Sequence, residues 1–321
     1  MSCAKVPSAI LVDLGNPDWI PDDNFQEFLK QHIPDADIRC ASDPGNLEDI
    51  CMIALNRAPT ALAYSSLPNL QLVQRVGAGV DQVLADPALP GDVRIARLKP
   101  QAPAREIVEF CIAYVFAEQR HLFRYHAAQS KTEWMQIPPR KTQETTIGVL
   151  GLGHIGAKVA ATFSYLGFQV IGWSRSPKTL EGVQCQHGRE SLLELLGKCD
   201  FVLCILPSTP DTVALLDQTA FDAMKPGATL INAGRGDLIV DDHLIDALNK
   251  EDDRPVRAIL DVFCVEPLPT DHPFWNHPKI TITPHVSGWH IDDGLPDVAE
   301  NYHRLMSGKP LLHEVDRMKG Y

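Results

Sequence analysis

The chain has 321 residues, which is enough for one large or two medium domains with a sizeable core. Apolar residues make up 45% of it, a fraction typical of globular proteins and not of disordered ones. The formal net charge of −12 argues against a nucleic-acid or anionic-membrane partner, because either would require a basic face. An anionic substrate would therefore have to meet positive charge that is concentrated locally.

The first residues, Met1 to Lys5, lack the charged stretch and apolar core of a secretion signal. No apolar run approaches the length of a membrane span. The eight cysteines form no Cys-x-x-Cys pair, and several, such as Cys199 and Cys204, lie within apolar runs. This pattern favours buried free thiols over disulfides or a metal site. We therefore expect a cytoplasmic protein without a bound metal.

Short apolar runs separated by helical or turn-like segments dominate the first hundred residues. The four runs lie at residues 9–14, 50–55, 70–76 and 93–98. Such alternation predicts a small parallel α/β unit. Pro100 and Pro103 follow it, and their restricted backbone marks a candidate hinge.

The next segment combines a long helix with an apolar arm. Apolar residues recur at helical spacing over residues 104–126, which predicts one long helix. Residues 131–141 contain Trp134 and two prolines and are expected to form an arm without regular structure. The arm could make a dimer contact or fold back onto its own domain, and the sequence does not choose between these.

A glycine turn between two apolar runs is the most informative stretch. Residues 147–150 are apolar, Gly-Leu-Gly-His-Ile-Gly follows at 151–156, a helical pattern comes next, and a second apolar run spans 168–173. Strand, glycine turn, helix and strand are the context that a dinucleotide fingerprint requires. The cofactor-binding residues expected here are Gly151, Gly153, His154, Ile155 and Gly156. Gly151 permits the tight turn, Gly153 lets the backbone approach the pyrophosphate, and Gly156 lets the helix pack close to the strand. The amides near His154 and Ile155 then face the phosphate oxygens.

The end of the second strand bears on which dinucleotide binds. NAD-preferring proteins usually place a carboxylate there for the ribose 2′-hydroxyl, whereas this chain has Ser174, Arg175 and Ser176. A guanidinium flanked by hydroxyls suits a 2′-phosphate, so we predict a preference for NADP(H), with NAD(H) possible. The alternative is that these residues form an ordinary solvated turn.

The remaining chain continues the strand–helix alternation. Strands are predicted at residues 201–206, 228–233, 256–262 and 280–283, and helices at 191–197, 241–249 and 297–306. This pattern predicts a doubly wound parallel sheet, which binds ligands at the carboxyl ends of its strands.

Polar residues follow several of these strands. Arg235 lies between two glycines after one strand, Asp261 ends the next with Glu266 just beyond it, and His285 follows the last. Each alone has an ordinary structural explanation, such as a turn or a solvated loop. Together in a nucleotide-binding fold they provide an acid, its orienting carboxylate and a cation for a substrate carboxylate.

The order of these motifs resembles that of the D-isomer-specific 2-hydroxyacid dehydrogenase family, particularly its glyoxylate/hydroxypyruvate reductases. The matching stretches are residues 76–81, the glycine fingerprint, 232–237, 261–269, 277–286 and 315–321. The resemblance implies two doubly wound parallel-sheet α/β domains. A Rossmann cofactor domain (100–290) would be inserted in a flavodoxin-like substrate domain (1–99 plus 291–321).

The resemblance also implies a mechanism. A nicotinamide cofactor would reduce small 2-oxo acids such as glyoxylate and hydroxypyruvate, with His285 giving a proton to the carbonyl oxygen. Glu266 would orient His285 and favour its charged form, and Arg235 would hold the substrate carboxylate. The further cofactor contacts implied are Leu206, Pro207, Ala233, Gly234 and Asp261, the last to the nicotinamide carboxamide. The further substrate contacts implied are Ala78, Gly79 and Val80.

One departure from the family pattern concerns the substrate. Near relatives usually continue after the histidine with two small residues and a threonine, whereas here Trp289 lies four residues beyond His285. The indole could narrow the substrate site or simply pack at the domain junction.

Three readings of function remain at this stage. The first is an NADPH-dependent reductase of small 2-oxo acids, working as a homodimer. The others are an NAD-linked dehydrogenase of a larger 2-hydroxy acid and a nucleotide-sensing protein of the corepressor type.

Overall fold

The computed structural model describes residues 6–15, 19–56, 62–250 and 254–318. It consists of two compact units. The first comprises the chain up to Ala102 together with the chain from His290 onward, and the second is Pro103–Trp289. Both are α/β units built on parallel sheets, as the sequence predicts.

The first unit is built on a five-stranded sheet. In chain order its elements are β1 (Ala9–Asp13), α1 (Asp22–His32), β2 (Ile38–Cys40), β3 (Ile50–Leu55), β4 (Leu72–Arg75), α2 (Asp81–Leu84) and β5 (Arg94–Arg97). The strand order β2-β1-β3-β4-β5 is the flavodoxin-like order. All six residues of β3 are buried, because both faces of the central strand are covered.

The second unit begins with two helices and continues with a seven-stranded sheet. Its first elements are α3 (Ala102–Gln119), α4 (Leu122–Ser130), β6 (Thr146–Leu150), α5 (His154–Tyr165), β7 (Gln169–Ser174), β8 (Gln184–His187) and α6 (Arg189–Leu196). The remainder are β9 (Phe201–Cys204), α7 (Gln218–Ala223), β10 (Thr229–Asn232), α8 (Asp241–Asn249), β11 (Arg257–Leu260) and β12 (Ile280–Ile282). The order β12-β11-β10-β9-β6-β7-β8 contains the Rossmann arrangement, with β6 at the point where the order reverses.

The helix α9 (Pro296–Met306) belongs to the first unit although it follows the whole of the second in sequence. Its Asn301 is fully buried and donates from Nδ2 to Gln74 Oε1 on β4 at 2.8 Å. Asn301 also accepts from the Leu312 amide, so the segment after the helix is held on the same side chain. These bonds satisfy buried polar groups that would otherwise destabilise the fold.

The predicted single helix over residues 104–126 is wrong, because the structure has two helices there. His121 adopts a left-handed backbone conformation with φ of +60°, which interrupts the ladder between α3 and α4. Apolar spacing continues across the break, which is why periodicity alone does not reveal it. The sequence does not predict the short strands β2 and β8. β8 lies at the edge of its sheet, and none of its four residues is buried.

The arm over residues 131–141 is attached to its own unit at its second half. Tyr125 donates to the carbonyl of Ile137 at 3.0 Å and accepts from its amide, while Gln119 donates to the carbonyl of Arg140. Trp134, nearer the start of the arm, is 93% exposed. The arm therefore folds back in part and still presents a large apolar side chain to solvent.

The cysteines at the seven described positions are free thiols. Burial raises the pKa of the Cys111 and Cys204 thiols to about 12, so they behave as small apolar side chains.

Within the described ranges no helix has the length and apolar character needed to cross a membrane. Those same ranges contain no group of three or more histidine, cysteine or acidic side chains arranged to hold a metal ion.

Candidate active site

The glycine turn joins β6 to α5 as the fingerprint requires. Gly151 has a φ of +102°, a conformation that side chains rarely adopt. A Cβ at Gly156 would lie 1.7 Å from the carbonyl oxygen of Gly151, so only glycine allows this close packing of helix on turn. The backbone geometry thus requires glycine at both positions.

Gly153 differs, because a Cβ placed there would have nothing within 4 Å. It is the N-cap of α5 and, having no side chain, it provides no side-chain cap for that helix. The start of α5, at His154 and Ile155, therefore combines open space with the positive end of a helix dipole. A dinucleotide pyrophosphate is the kind of group that this arrangement fits.

The residues predicted to determine the preference for NADP(H) over NAD(H) lie at the end of β7. Ser174 is buried and its hydroxyl donates to the carbonyl of Ser176 at 2.8 Å, so it shapes the turn. The side chain of Arg175 is 54% exposed, and its Nη1 lies 3.9 Å from Oδ2 of Asp211. Asp211 follows β9 and was not singled out from the sequence, because 36 residues separate it from Arg175.

The loops after β9 and β10 meet closely. A Cβ on Gly234 would lie 2.7 Å from the carbonyl oxygen of Leu206, and both Leu206 and Ala233 are buried. Pro207 is the next residue along, and its carbonyl accepts from the hydroxyl of Thr212. The predicted cofactor residues of these two loops thus lie together at one edge of the sheet.

Arg235 is presented by a loop that Asn232 holds. The Asn232 side chain donates to the carbonyl of Arg235 at 2.8 Å and accepts from the amide of Gly234. Gly236 then packs directly on the backbone of Phe263 and Cys264, where a Cβ would lie 2.0 Å from the Phe263 carbonyl carbon. The loop carrying Arg235 is therefore in contact with the loop that leads to Glu266.

His285 and Glu266 form a hydrogen-bonded pair at the carboxyl edge of β11 and β12. Nδ1 of His285 lies 2.7 Å from Oε2 of Glu266, and Oε1 of Glu266 accepts from the amide of Phe263 at 3.0 Å. The carboxylate is 18% exposed and the imidazole 47% exposed. Because Nδ1 faces a carboxylate, it carries a proton, and Nε2 is the nitrogen left for a substrate.

Asp261 lies directly after β11 and is fully buried. Its Oδ1 accepts from the hydroxyl of Thr283 and from the amide of Val286, and its Oδ2 accepts from the amide of Ser287. Thr283 was not singled out from the sequence. Nothing in its local pattern distinguishes it from other strand-end threonines.

Trp289 is the last residue of the second unit, with its side chain 39% exposed. Its amide donates to Oε2 of Glu106 on α3 at 2.6 Å. The predicted loop of Ala78, Gly79 and Val80 belongs to the first unit and follows β4. Arg97 donates to the carbonyl of Ala78 at 2.9 Å, and the side chain of Val80 is buried.

A Rossmann-type sheet, a dinucleotide turn and a histidine–carboxylate pair at the carboxyl edge together define a nucleotide-dependent oxidoreductase. The model for the NAD-binding domain of D-isomer-specific 2-hydroxyacid dehydrogenases matches residues 112–287. The chain belongs to the D-isomer-specific 2-hydroxyacid dehydrogenase family, as its motif order predicts.

Curated relatives and solved structures agree with this assignment. Glyoxylate/hydroxypyruvate reductase A of Serratia proteamaculans is 36% identical over 307 residues, covering 93% of this chain and 97% of the relative. A family member from Xanthobacter autotrophicus, solved with NADPH and MES, has a TM-score of 0.88 at 33% identity and covers 98% of this chain and 100% of its own. The NADPH-dependent glyoxylate/hydroxypyruvate reductase of Sinorhizobium meliloti, solved with NADP and sulfate, has a TM-score of 0.87 at 31% identity, with coverage of 98% and 100%.

Proposed function

We propose that this protein reduces small 2-oxo acids such as glyoxylate and hydroxypyruvate to 2-hydroxy acids, using NADPH. The observation that carries the proposal is the His285–Glu266 pair, whose donor and acceptor atoms are 2.7 Å apart at the ligand-binding edge of the sheet. Relatives covering almost the whole chain are named as reductases of these two acids, which supports the substrate class.

The chain's own residues supply the proton and the orientation. NADPH, when bound, supplies the hydride to the carbonyl carbon. His285 donates a proton from Nε2 to the carbonyl oxygen, while Glu266 holds Nδ1 and stabilises the imidazolium electrostatically. Arg235 provides the forked guanidinium that binds a planar carboxylate. Its loop packs against the loop of Glu266, which supports a shared site for the two side chains.

The preference for NADPH is part of the proposal and depends on Arg175. Its guanidinium is half exposed at the end of β7, the position where a 2′-phosphate would be met, and Ser174 and Ser176 shape that turn. NADH remains usable, because the pyrophosphate and nicotinamide contacts do not involve the 2′ position. Arg175→Ala should lower kcat/KM for NADPH and leave that for NADH within about 2-fold; equal values for the two cofactors in the wild type would contradict the role of Arg175.

The decisive experiment is a panel of initial rates. Glyoxylate, hydroxypyruvate, pyruvate and phenylpyruvate are each tested with NADPH and with NADH, and His285→Ala is tested beside the wild type. Loss of a general acid typically costs about 10²- to 10⁴-fold in rate. Preferential use of phenylpyruvate with NADH would favour the NAD-linked alternative, and binding of NADPH without turnover of any acid would favour a nucleotide sensor. Trp289→Ala tests whether the indole restricts the larger acids.

A homodimer and a cytoplasmic location complete the proposal. The exposed Trp134 lies on an arm anchored at Ile137 and Arg140, so burial against a second copy would remove a large apolar surface from water. Free thiols at seven described cysteines are consistent with a reducing compartment. Sedimentation equilibrium of the wild type and Trp134→Ser tests the dimer; a wild-type monomer at micromolar concentration would contradict it.

A further inference from the structure

The catalytic histidine lies on a loop whose backbone conformation is unusual. His285 has a φ of +56°, in the left-handed region that residues with side chains uncommonly adopt. Its amide donates to the main-chain carbonyl of Asp261 at 2.8 Å. A loop in this conformation needs fixed partners on both sides of the histidine, because an unconstrained chain would relax toward a more populated region.

The Asp261 carboxylate supplies those partners. Its three donors are the Thr283 hydroxyl, two residues before His285, and the amides of Val286 and Ser287, the two residues after it. The two amide bonds are 2.9 Å long, and Asp261 is 0% exposed. One buried carboxylate therefore binds the chain both before and after the histidine.

Asp261 is buried close to α3 as well as to the histidine loop. Burial first, and the charge of Asp261 second, raise the pKa of Cys111 and Tyr114 on α3. A buried carboxylate that is bonded by three donors is costly to disturb, since removing an acceptor leaves those donors unsatisfied. The carboxylate thus holds the conformation of the loop, and the donors of the loop satisfy the buried carboxylate.

We propose that Asp261 is a positioning residue, whose carboxylate holds the loop so that the imidazole of His285 reaches Glu266. This inference rests on the proposed function for its catalytic consequence. This task is additional to the nicotinamide contact implied by family resemblance, since a carboxylate has about four acceptor sites and the chain's own donors occupy three of them. Thr283 takes part in the same task through its hydroxyl.

A matched pair at Thr283 tests the idea with little risk to folding. Thr283→Val keeps the shape of the side chain and removes the hydroxyl, whereas Thr283→Ser keeps the hydroxyl. We expect Thr283→Val to lower kcat by about 3- to 10-fold and Thr283→Ser to stay within about 2-fold of the wild type. Equal kcat values for the two variants would overturn the role of the hydroxyl.

Asp261→Asn tests the carboxylate itself. An amide cannot accept from all three donors, so kcat should fall by about 10- to 100-fold. In a Glu266→Gln background the same substitution should lower kcat by less than about 3-fold, because both changes impair the same histidine–carboxylate pair. An equal loss of kcat in the wild-type and Glu266→Gln backgrounds would overturn the proposal.

Amide hydrogen exchange separates this inference from the proposed activity. The amides of Val286 and Ser287 should be protected in the wild type and should exchange faster in Asp261→Asn. If the wild type turned over none of the four acids while this difference was present, the proposed function would fail and the positioning of the loop would stand. Unchanged exchange at both amides would overturn the positioning.

Discussion

Replacing Glu266 by glutamine examines the proposed chemistry at a single bond. The substitution preserves the shape of the side chain, and the amide oxygen can still accept from the Phe263 amide that Oε1 binds at 3.0 Å. The change falls on Oε2, which faces His285 Nδ1 at 2.7 Å. An uncharged amide no longer stabilises an imidazolium there, so the general acid is weakened while the loop keeps its anchor.

The size of the effect follows from the contact and its exposure. Hydrogen bonds to charged groups contribute about 1.5–3 kcal/mol. The imidazole is 47% exposed, so solvent screening places this bond in the lower part of that range. A loss of about 1.5–2 kcal/mol corresponds to a decrease of about 10- to 30-fold in kcat/KM.

The assay is the initial rate of NADPH oxidation with glyoxylate, measured for Glu266→Gln and for a matched control. Asp297 pairs with His313 at 3.3 Å in the first unit, so Asp297→Asn also neutralises the carboxylate of a histidine pair. We expect the control to remain within about 2-fold of the wild type. Equal rates for Glu266→Gln and the wild type, with the fold intact by circular dichroism, would refute the role assigned to Glu266.

Three further predictions concern the cofactor turn, the substrate carboxylate and the C-terminal segment. Gly153→Ala should keep the wild-type Tm, because its Cβ meets no protein atom, but should weaken NADPH binding at least about 10-fold, because that Cβ occupies the space where the pyrophosphate would bind. Gly156→Ala should lower the Tm strongly, because its Cβ would overlap the carbonyl oxygen of Gly151. Arg235→Lys should raise the KM for glyoxylate about 10- to 100-fold, since an ammonium lacks the guanidinium fork, and an unchanged KM would contradict carboxylate binding. Glu314, whose pKa is lowered by its hydrogen bonds to Arg94, should contribute at most about 1 kcal/mol to the free energy of unfolding at neutral pH. Because a lowered carboxyl pKa stabilises the fold above the unfolded-state value, urea titrations of Glu314→Gln and wild type should converge as the pH falls below 4.5.

The helical part of the chain shows where apolar periodicity stops being informative. Residues 104–126 keep one helical pattern across His121, yet the backbone turns left-handed there and starts a second helix. Periodicity reports which face is buried and is insensitive to a single residue that changes direction. The arm that follows is similar: its composition argues against regular structure, but the bonds from Tyr125 to Ile137 and from Gln119 to Arg140 show that it is attached.

Arg175 shows the same limit at the level of the site. The sequence places a guanidinium at the end of β7, where a 2′-phosphate would be expected, because the glycine turn, α5 and β7 follow one another in the chain. Asp211 reaches it only because the loop after β9 returns to the same edge of the sheet. No pattern around Asp211 indicates that approach.

The sequence by itself determined the elements whose causes are local. Gly151 and Gly156 specify the turn because the first adopts a positive φ and a Cβ on the second would overlap the carbonyl oxygen of Gly151. The buried runs specify strands because both faces of a parallel sheet are covered. The family followed from the order of such segments. The pairing of Glu266 with His285, 19 positions apart, was implied only by the family resemblance, and the tertiary structure gives its geometry. The tertiary structure alone decided that Asp261 meets the donors on both sides of that histidine. Those contacts depend on the register of neighbouring strands and on loop backbone angles, which the packing of the whole unit sets and no local pattern encodes.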